Sequence, residues 1–210
     1  MKLYYIPAAC SLAPNIVAHE LALDLTLVRM VPKTHRTAED EDYFSINPLG
    51  YVPLIQLEDG TRLREGTAIL QYLGDLKPDT QLVPAHGTLA RYRLVEWLGF
   101  LSTEIHKGFI PLLYARLAGD YVDTARPKLR ARFEWIDGEL DGKDWLMGER
   151  FTVADAYLFS LIGWAQASWL TTYVKTDLRL DDLSRLAAWY GRMRQRPAVR
   201  RAIESEDLIF

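Results

Sequence analysis

The sequence predicts an α/β domain followed by an all-α domain. Short runs rich in β-branched and aromatic residues alternate with helical patterns in residues 1–77, and such runs stop afterwards. Between the two regions lies a segment with two prolines, a glycine and several turn-forming residues. We therefore expect one domain at residues 1–77 and another at 88–210, joined by a linker at 78–87.

Strands and helices alternate in the first region in the order β-α-β-α-β-β-α. The strands are expected at residues 2–6 and 25–31 and in a hairpin at 51–65. The helices are expected at residues 11–23 and 66–76, with a short acidic helix or a turn at 37–47. Asp59-Gly60 is typical of a two-residue hairpin turn, and Ser11 suits the N-cap of the first helix. One sheet with helices on its faces accommodates this order.

Helical periodicity extends through the second region. It is present at residues 88–115, 124–142, 153–170 and 181–204. Thr152 and Asp155 form a shortened capping box at the start of the third stretch, which predicts a structural role for both residues. The second domain is therefore expected to be entirely helical.

Composition and charge exclude several classes of function. The formal net charge is −3 and 49% of the residues are hydrophobic, which is typical of a globular protein without a nucleic-acid surface. No apolar run is long enough to span a membrane. The four histidines and the single cysteine lack the spacing of a metal site, and one cysteine cannot form an internal disulfide. We expect a cytoplasmic protein that binds neither nucleic acid nor membrane.

Cys10 is the only cysteine of the chain and is expected between the first strand and the first helix. Unpaired N–H groups and the positive end of the helix dipole favour a thiolate at such a place. A buried, inert cysteine is the alternative, and position alone favours function only slightly. Because Ala13 stands where a redox C-x-x-C motif has its second cysteine, a disulfide partner would have to be a small-molecule thiol or another chain.

Two further features suggest a ligand site in the first domain. Val52-Pro53 is either a simple strand start or a cis peptide that turns the Val52 backbone toward a ligand. Glu65 and Gly66 lie where a strand ends and a helix begins. A carboxylate beside helix N–H groups would suit an amino-acid zwitterion, although an acidic residue there commonly serves only the helix dipole.

In the second domain, Gly99, Ser102, Thr103 and His106 follow the spacing of one face of an α-helix. This small, polar stripe is consistent with a close helix–helix contact. It is equally consistent with a groove wall on which His106 offers a hydrogen bond to a thiol or thiolate.

Four stretches, distributed between residues 1 and 159, carry these features. They are MKLYYIPAACSLAP, YFSINPLGYVPLIQLEDGTRLREGTAILQYL, RYRLVEWLGFLSTEIHKGFIPL and GERFTVADAYLF. Together they resemble the beta class of bacterial glutathione S-transferases. The resemblance implies a thioredoxin-like N-terminal domain, an all-helical C-terminal domain with a groove for an electrophile, and a homodimer. It also implies glutathione as cosubstrate, no permanently bound cofactor and no metal.

The resemblance further implies roles for individual residues. Cys10 would contact the glutathione sulfur and can form a mixed disulfide with it, and His106 would lie beside that sulfur, so these two are the expected catalytic residues. Val52, ahead of a cis Pro53, would pair with the cysteinyl backbone of glutathione. The γ-glutamyl group would be bound by Glu65, Gly66, Thr103 and Glu104, the last two of which can reach it across a dimer interface. The remaining expected glutathione contacts are His35, Gly99, Ile105 and Lys107.

The chain departs from the family's pattern at four places. Ala8 replaces a glycine two residues before the cysteine, Gly99 replaces an asparagine, and Pro14-Asn15 replaces a pair that usually ends in histidine. His35 replaces a lysine that pairs with the glycyl carboxylate, a role for which Lys33 or Arg36 can substitute. These departures concern affinity and preferred reaction more than the fold.

Three hypotheses about function follow. The first is a transferase that conjugates glutathione thiolate to small apolar electrophiles, with weak conjugation and appreciable Cys10-dependent disulfide exchange. The second is a non-catalytic carrier of glutathione and hydrophobic ligands, in a groove lined by Trp97, Phe109, Tyr114, Trp164 and Trp169. The third is a scaffold that keeps only the fold, which explains neither Cys10 nor the Glu65-Gly66 pair.

Overall fold

A five-stranded mixed sheet is the centre of the N-terminal domain. The computed structural model of the chain describes residues 1–166 and 178–208. The strands are β1 (Lys2–Tyr5), β2 (Thr26–Val31), β3 (Arg36–Thr37), β4 (Leu54–Gln56) and β5 (Arg62–Arg64). Their order in the sheet is β3-β2-β1-β4-β5, and only the β1–β2 pair is parallel. The predicted strands are present, and the two-residue β3 is an addition, paired antiparallel to the end of β2.

Three helices accompany the sheet, namely α1 (Leu12–Glu20), α2 (Tyr43–Ile46) and α3 (Gly66–Asp75). Ser11 occupies the N-cap position of α1 but does not cap it, because its Oγ exchanges hydrogen bonds with the N–H and C=O of Ile6. The hairpin loop is also longer than predicted. Leu57 N–H donates to Thr61 O at 2.8 Å, which leaves three loop residues, and Gly60 has a φ of +86°.

The described residues of the second domain form helices joined by loops, with one isolated bridge between Trp145 and Gly148 and no β-strand. A 3₁₀ turn in the linker (Pro78–Thr80) precedes them, and a π-helix (Leu101–His106) lies between α4 and α5. The α-helices are α4 (Leu89–Phe100), α5 (Lys107–Leu113), α6 (Ala115–Ala118), α7 (Tyr121–Glu139), α8 (Val153–Gln166), α9 (Ser184–Gln195) and α10 (Pro197–Ser205).

Two predicted helical stretches are interrupted. The stretch at 88–115 contains the π-helix, and the stretch at 181–204 breaks between α9 and α10. Arg196 there is extended, with a ψ of 128°, because it precedes Pro197, which disfavours a helical residue before it. The C-terminal end of the stretch predicted at 153–170 lies outside the described residues.

Buried residues from both domains form one continuous core. Leu3, Ile16 and Leu70 of the first domain and Phe133 and Leu158 of the second belong to the same cluster, and each is fully buried. A smaller cluster covers the other face of the sheet and consists of Tyr4, Met30, Tyr43, Ile46 and Leu54. Helix α1 packs against α3 of its own domain and against α8 and α10 of the second domain. The segment between β1 and α1, which contains Cys10, therefore lies where the two domains meet.

Candidate active site

Cys10 lies in the turn between β1 and α1 and is 9% exposed. Its Sγ donates a hydrogen bond to the Val52 carbonyl oxygen at 3.5 Å. Burial raises the pKa of the Cys10 thiol to about 12, although the nearby N–H groups of Cys10 and Ser11 act in the opposite direction. The expectation of a thiolate from the position ahead of α1 is therefore wrong for this conformation, because desolvation outweighs the hydrogen bonds from the backbone.

The Val52-Pro53 peptide bond is cis, as the sequence allowed. Gly66, the first residue of α3, lies against Pro53, since a Cβ built on Gly66 would be 3.7 Å from the proline ring. Glu65 precedes α3 with a φ of +66°, and its carbonyl accepts hydrogen bonds from Ala68 and Ile69. Successive contacts thus link three parts of the site. The Cys10 thiol contacts the Val52 backbone, and Pro53, the next residue, lies against Gly66 at the N-terminus of α3.

His106 is the last residue of the π-helix and is half-buried. Its Nδ1 lies 2.8 Å from the hydroxyl oxygen of Tyr157 on α8, and its ring packs edge-on against Trp164 with a centroid distance of 5.0 Å. Burial, followed by the charge of Lys107, lowers the pKa of the His106 imidazole to about 4. His106 is therefore neutral near neutral pH, and a neutral imidazole has one donor nitrogen and one acceptor nitrogen.

The loop before Cys10 is fixed by contacts from the second domain. Ala8 has a φ of +66°, a left-handed conformation that favours the glycine it replaces. Its N–H donates to Glu206 Oε2 at 3.0 Å and its carbonyl accepts from Trp164 Nε1 at 2.9 Å. Asn15 on α1 donates to Glu206 Oε1 at 3.1 Å. These contacts hold Ala8 in a conformation that is unfavourable for a residue with a Cβ atom.

The other residues of the second domain that were predicted to contact glutathione differ in their exposure and in their partners. Gly99 and Thr103 are exposed, and the Thr103 hydroxyl donates to the Gly99 carbonyl at 3.1 Å. Glu104 forms an ion pair with Arg132 on α7 at 2.7 Å. The Ile105 side chain is fully buried in the core, so only its backbone could meet a ligand. Lys107 is exposed, and its charge acts on both Cys10 and His106.

The predicted stripe of Gly99, Ser102, Thr103 and His106 does not lie on one α-helical face. Residues 101–106 form a π-helix, whose wider turn changes the angle between successive side chains. Thr103 is exposed, whereas Ser102 and His106 are half-buried and both act on Tyr157, so only part of the stripe faces α8.

His35 lies in the turn between β2 and β3 with a φ of +51°. Its ring stacks on Phe44 with a centroid distance of 4.6 Å. Arg36, a possible substitute for the missing lysine, forms an ion pair with Asp40. Lys33 remains exposed in the same turn.

The aromatic residues predicted to line a groove are not gathered in one place. Phe109 and Trp164 are buried and pack against each other beside His106. Trp97 instead packs against Phe100 and Trp135. Tyr114 is 58% exposed, and Trp169 lies outside the described residues.

Comparison with known proteins identifies the family to which this site belongs. Residues 9–76 match the sequence model described as "Glutathione S-transferase, N-terminal domain", and residues 100–197 match "Glutathione S-transferase, C-terminal domain". The chain is 42% identical to glutathione S-transferase GstA of Escherichia coli O157:H7, over 99% of this chain and 100% of that protein. The chain belongs to the glutathione S-transferase family.

Solved structures of bacterial members of the family share the fold. A sphingomonad glutathione S-transferase complexed with glutathione has a TM-score of 0.90 and 38% identity, over 100% of both chains. A bacterial beta-class glutathione S-transferase from Sphingomonas chungbukensis has a TM-score of 0.90 and 37% identity, also over 100% of both chains. The family predicted from the sequence is thereby confirmed, as is a thioredoxin-like domain followed by a helical domain.

Sequence reasoning missed two residues that support the site of this family member, and it named a third, Trp164, only as a groove-lining aromatic. Tyr157 lies on α8, a helix with so many apolar residues that this tyrosine was indistinguishable from core residues. Glu206 is 1% exposed, although it follows α10 in a charged segment that resembles a solvated terminus. The one available signal was Ala8, because a non-glycine residue at that position needs additional contacts.

The part of the chain that the structure describes contains neither a metal-binding cluster nor a membrane-spanning helix. Residues 1–166 and 178–208 contain no group of three or more His, Cys, Asp or Glu side chains that could hold a metal ion. No helix in the same residues is both long enough and apolar enough to cross a lipid bilayer.

Proposed function

We propose that the chain conjugates glutathione thiolate to small apolar electrophiles at the site around Cys10. The observation that carries the proposal is the chain of contacts from Cys10 Sγ to the Val52 carbonyl and from Pro53 to Gly66 at the start of α3. The Cys10 thiol would suit the sulfur of glutathione, and the Val52 backbone ahead of the cis proline would suit its peptide backbone. The N-terminus of α3 beside the Glu65 carboxylate would suit the γ-glutamyl zwitterion.

Each part of glutathione has a proposed partner. The Val52 backbone, ahead of the cis Pro53, would pair with the cysteinyl unit. Glu65 is exposed and would bind the γ-glutamyl ammonium, while the Gly66 N–H would bind its carboxylate. His35, on the turn after β2, is the proposed contact of the glycyl carboxylate, since Arg36 is already paired with Asp40.

Cys10 would act in conjugation as a hydrogen-bond donor. Its raised pKa keeps the proton on Cys10 Sγ near neutral pH, so the thiol could turn from the Val52 carbonyl toward the glutathione sulfur. Glutathione loses its thiol proton to solvent, and its thiolate forms the new carbon–sulfur bond. With an aryl halide the halide ion leaves with the bonding electrons, so the reaction is balanced without a further reactant.

Disulfide exchange at Cys10 is the proposed secondary reaction. The Cys10 thiolate would attack the glutathionyl sulfur of a glutathionylated substrate, forming a mixed disulfide with glutathione and releasing the substrate thiol. The thiolate of a second glutathione would then attack this disulfide, which releases Cys10 and forms glutathione disulfide. The burial of Cys10 argues against the sequence-based expectation that exchange is appreciable and conjugation weak, because only the thiolate attacks and this thiol has a raised pKa.

We also propose a homodimer, in which Thr103 and Glu104 face the glutathione of the partner. Thr103 is exposed, and Glu104 lies on the α7 side of its own chain, paired with Arg132. Large exposed apolar side chains of the two domains support such an interface: Leu49, Tyr51, Leu89, Tyr92 and Val95. Analytical ultracentrifugation tests this point, and a monomer at micromolar concentration would contradict it.

Steady-state assays distinguish the transferase from a non-catalytic carrier. The substrates are glutathione with a chlorodinitrobenzene for conjugation, and glutathione with a glutathionylated peptide for exchange. We expect saturable turnover in the first assay and a slower reaction in the second. Binding of glutathione without turnover of either substrate would favour the carrier.

The Cys10→Ala variant separates the two reactions. Exchange should disappear, because the variant has no cysteine, whereas conjugation should persist at a reduced rate, since glutathione supplies its own thiol. Unchanged exchange in this variant would exclude the mechanism through Cys10. Ala8→Gly serves as the matched control, because it changes the neighbouring loop position and leaves the thiol in place.

A further inference from the structure

Tyr157 is a buried tyrosine whose hydroxyl contacts the expected catalytic histidine. It lies on α8, is 3% exposed, and its Oη is 2.8 Å from His106 Nδ1. Within residues 1–166 and 178–208, His106 Nε2 makes no hydrogen bond, so Tyr157 is the only described hydrogen-bond partner of that ring. The contact joins α8 to the end of the π-helix.

The direction of this hydrogen bond follows from the chemistry of its two groups. A phenol O–H is a stronger donor than the N–H of a neutral imidazole, and an imidazole nitrogen is a stronger acceptor than a phenol oxygen. We therefore assign Tyr157 O–H as the donor and His106 Nδ1 as the acceptor. The Ser102 side chain also acts on the Tyr157 hydroxyl, since it opposes the rise in the phenol pKa that burial causes.

The proton on His106 is thereby assigned to one nitrogen. A neutral imidazole that accepts at Nδ1 carries its single proton on Nε2. The charged or titratable groups that act on this pair are Cys10, Glu65 and Lys107. Ionisation of Cys10 would raise the pKa of Tyr157 further, so the histidine, the tyrosine and the thiol share one local environment.

We propose that Tyr157, supported by Ser102, is a positioning residue that holds His106 as an Nε2–H donor aimed at the glutathione sulfur. This inference rests on the proposed function and extends it. His106 then stabilises the thiolate as a hydrogen-bond donor and does not act as the base that removes the thiol proton. Tyr157 acts through His106 and does not touch the reacting atoms.

Nitrogen NMR of the histidine side chains tests the orientation without glutathione. In the full-length protein, His106 Nδ1 should resonate as an unprotonated nitrogen that accepts a hydrogen bond, with the signal assigned by its loss in His106→Gln. In Tyr157→Phe the same nitrogen should move to the position of an unprotonated nitrogen without a hydrogen bond. A protonated Nδ1 in the wild type would overturn the proposal.

Kinetics test the consequence for glutathione. Tyr157→Phe should raise the pKa of the bound glutathione thiol by about one unit. It should lower kcat for a chlorodinitrobenzene about tenfold near neutral pH and leave KM for glutathione nearly unchanged. Tyr190→Phe is the matched control and should leave both values unchanged. Tyr190 is a half-buried tyrosine that packs against α8 through Phe159.

A double variant shows whether Tyr157 acts through His106. In a His106→Ala background, Tyr157→Phe should have almost no further effect on the thiol pKa, whereas a full additional effect would overturn the proposal. If Tyr157→Phe does not fold, Ser102→Ala should give a smaller shift of the Nδ1 signal in the same direction, and an unchanged signal would again overturn it. Absence of glutathione binding in the wild type would refute the proposed function while leaving the NMR test valid.

Discussion

At the scale of single residues, burial determines the protonation of the site. Cys10 lies close to α1, yet desolvation raises the pKa of its thiol, and His106 has a lowered pKa for the same reason. Both groups are therefore uncharged near neutral pH. A site of neutral hydrogen-bonding groups suits the stabilisation of one incoming thiolate better than the generation of a protein nucleophile.

Alkylation measures the state of the Cys10 thiol directly. In the absence of glutathione, the rate of carboxamidomethylation should be low near neutral pH and should still be rising at about pH 10, because the thiol pKa is about 12. The chain has no other cysteine, so intact-mass spectrometry reports this residue alone. A rate that reaches a plateau near the ordinary thiol pKa of about 8.5 would show that Cys10 is not desolvated.

The residues of the N-terminal domain could be found from the sequence because they belong to short local motifs. Cys10, Val52-Pro53 and Glu65-Gly66 each occupy a strand or helix boundary, where proline, glycine and acidic residues have specific meanings. Tyr157 could not be found in this way. Its hydroxyl acts on a residue 51 positions away in sequence, and its neighbours on α8 are apolar.

At the scale of secondary structure, local capping was predictable in part and a change of helix type was not. Ser11 does not cap α1, but one half of the predicted Thr152–Asp155 capping box is present. Asp155 Oδ2 accepts from Thr152 N–H at 2.9 Å and from the Thr152 hydroxyl at 3.1 Å. The π-helix at Leu101–His106 has no simple sequence pattern, since it depends on the packing of α4 and α5 against α7 and α8. Because the π-helix was not predictable, the polar stripe from Gly99 to His106 was assigned to one face of an α-helix.

Asp155 offers a test of how much a predicted cap contributes to stability. It is fully buried and also accepts hydrogen bonds from Leu146 N–H and Trp189 Nε1, both at 2.9 Å. Asp155→Ala leaves these buried donors unsatisfied, so the free energy of unfolding should fall by about 3–5 kcal/mol.

Urea denaturation followed by circular dichroism gives this value, with Asp123→Ala as the control. Asp123 lies in the first turn of α7 and its side chain is 85% exposed, so its removal should change the free energy of unfolding by less than about 0.5 kcal/mol. Equal effects of the two substitutions would show that the buried network around Asp155 contributes little.

At the scale of the whole molecule, the end of the chain supports the loop near its beginning. Glu206 accepts hydrogen bonds from Ala8 and Asn15, and Trp164 donates to Ala8. The domain order and helical content could be predicted from periodicity. This long-range support could not, because Glu206 and Ala8 are 198 positions apart and become neighbours only when α10 packs on α1.

The stability of the folded chain should report the ionisation of Glu206. Burial raises the pKa of its carboxyl from 4.5 to about 7. Because the folded pKa of this acid is raised, its contribution to stability is present below about pH 4.5 and is lost as the pH rises through about 7. Relative to that of Glu206→Gln, the free energy of unfolding of the wild type should therefore fall by up to about 3 kcal/mol between these two pH values.

Urea denaturation of both proteins across this range measures that difference. Glu204→Gln is the matched control, because Glu204 is an exposed glutamate on α10 and should give no pH-dependent difference from the wild type. A difference between wild type and Glu206→Gln that is constant with pH would mean that Glu206 keeps an ordinary pKa.

The ultraviolet absorbance of thiolate shows directly whether the ionised sulfur in the site belongs to glutathione or to Cys10. It is followed in the wild type as the pH is raised, with either glutathione or S-methylglutathione bound. S-methylglutathione has no thiol, so any thiolate in that complex belongs to Cys10, the single cysteine of the chain. We predict thiolate near neutral pH with glutathione and none below about pH 9 with S-methylglutathione. Thiolate near neutral pH in the S-methylglutathione complex would contradict the account, because Cys10 itself would then be the ionised nucleophile.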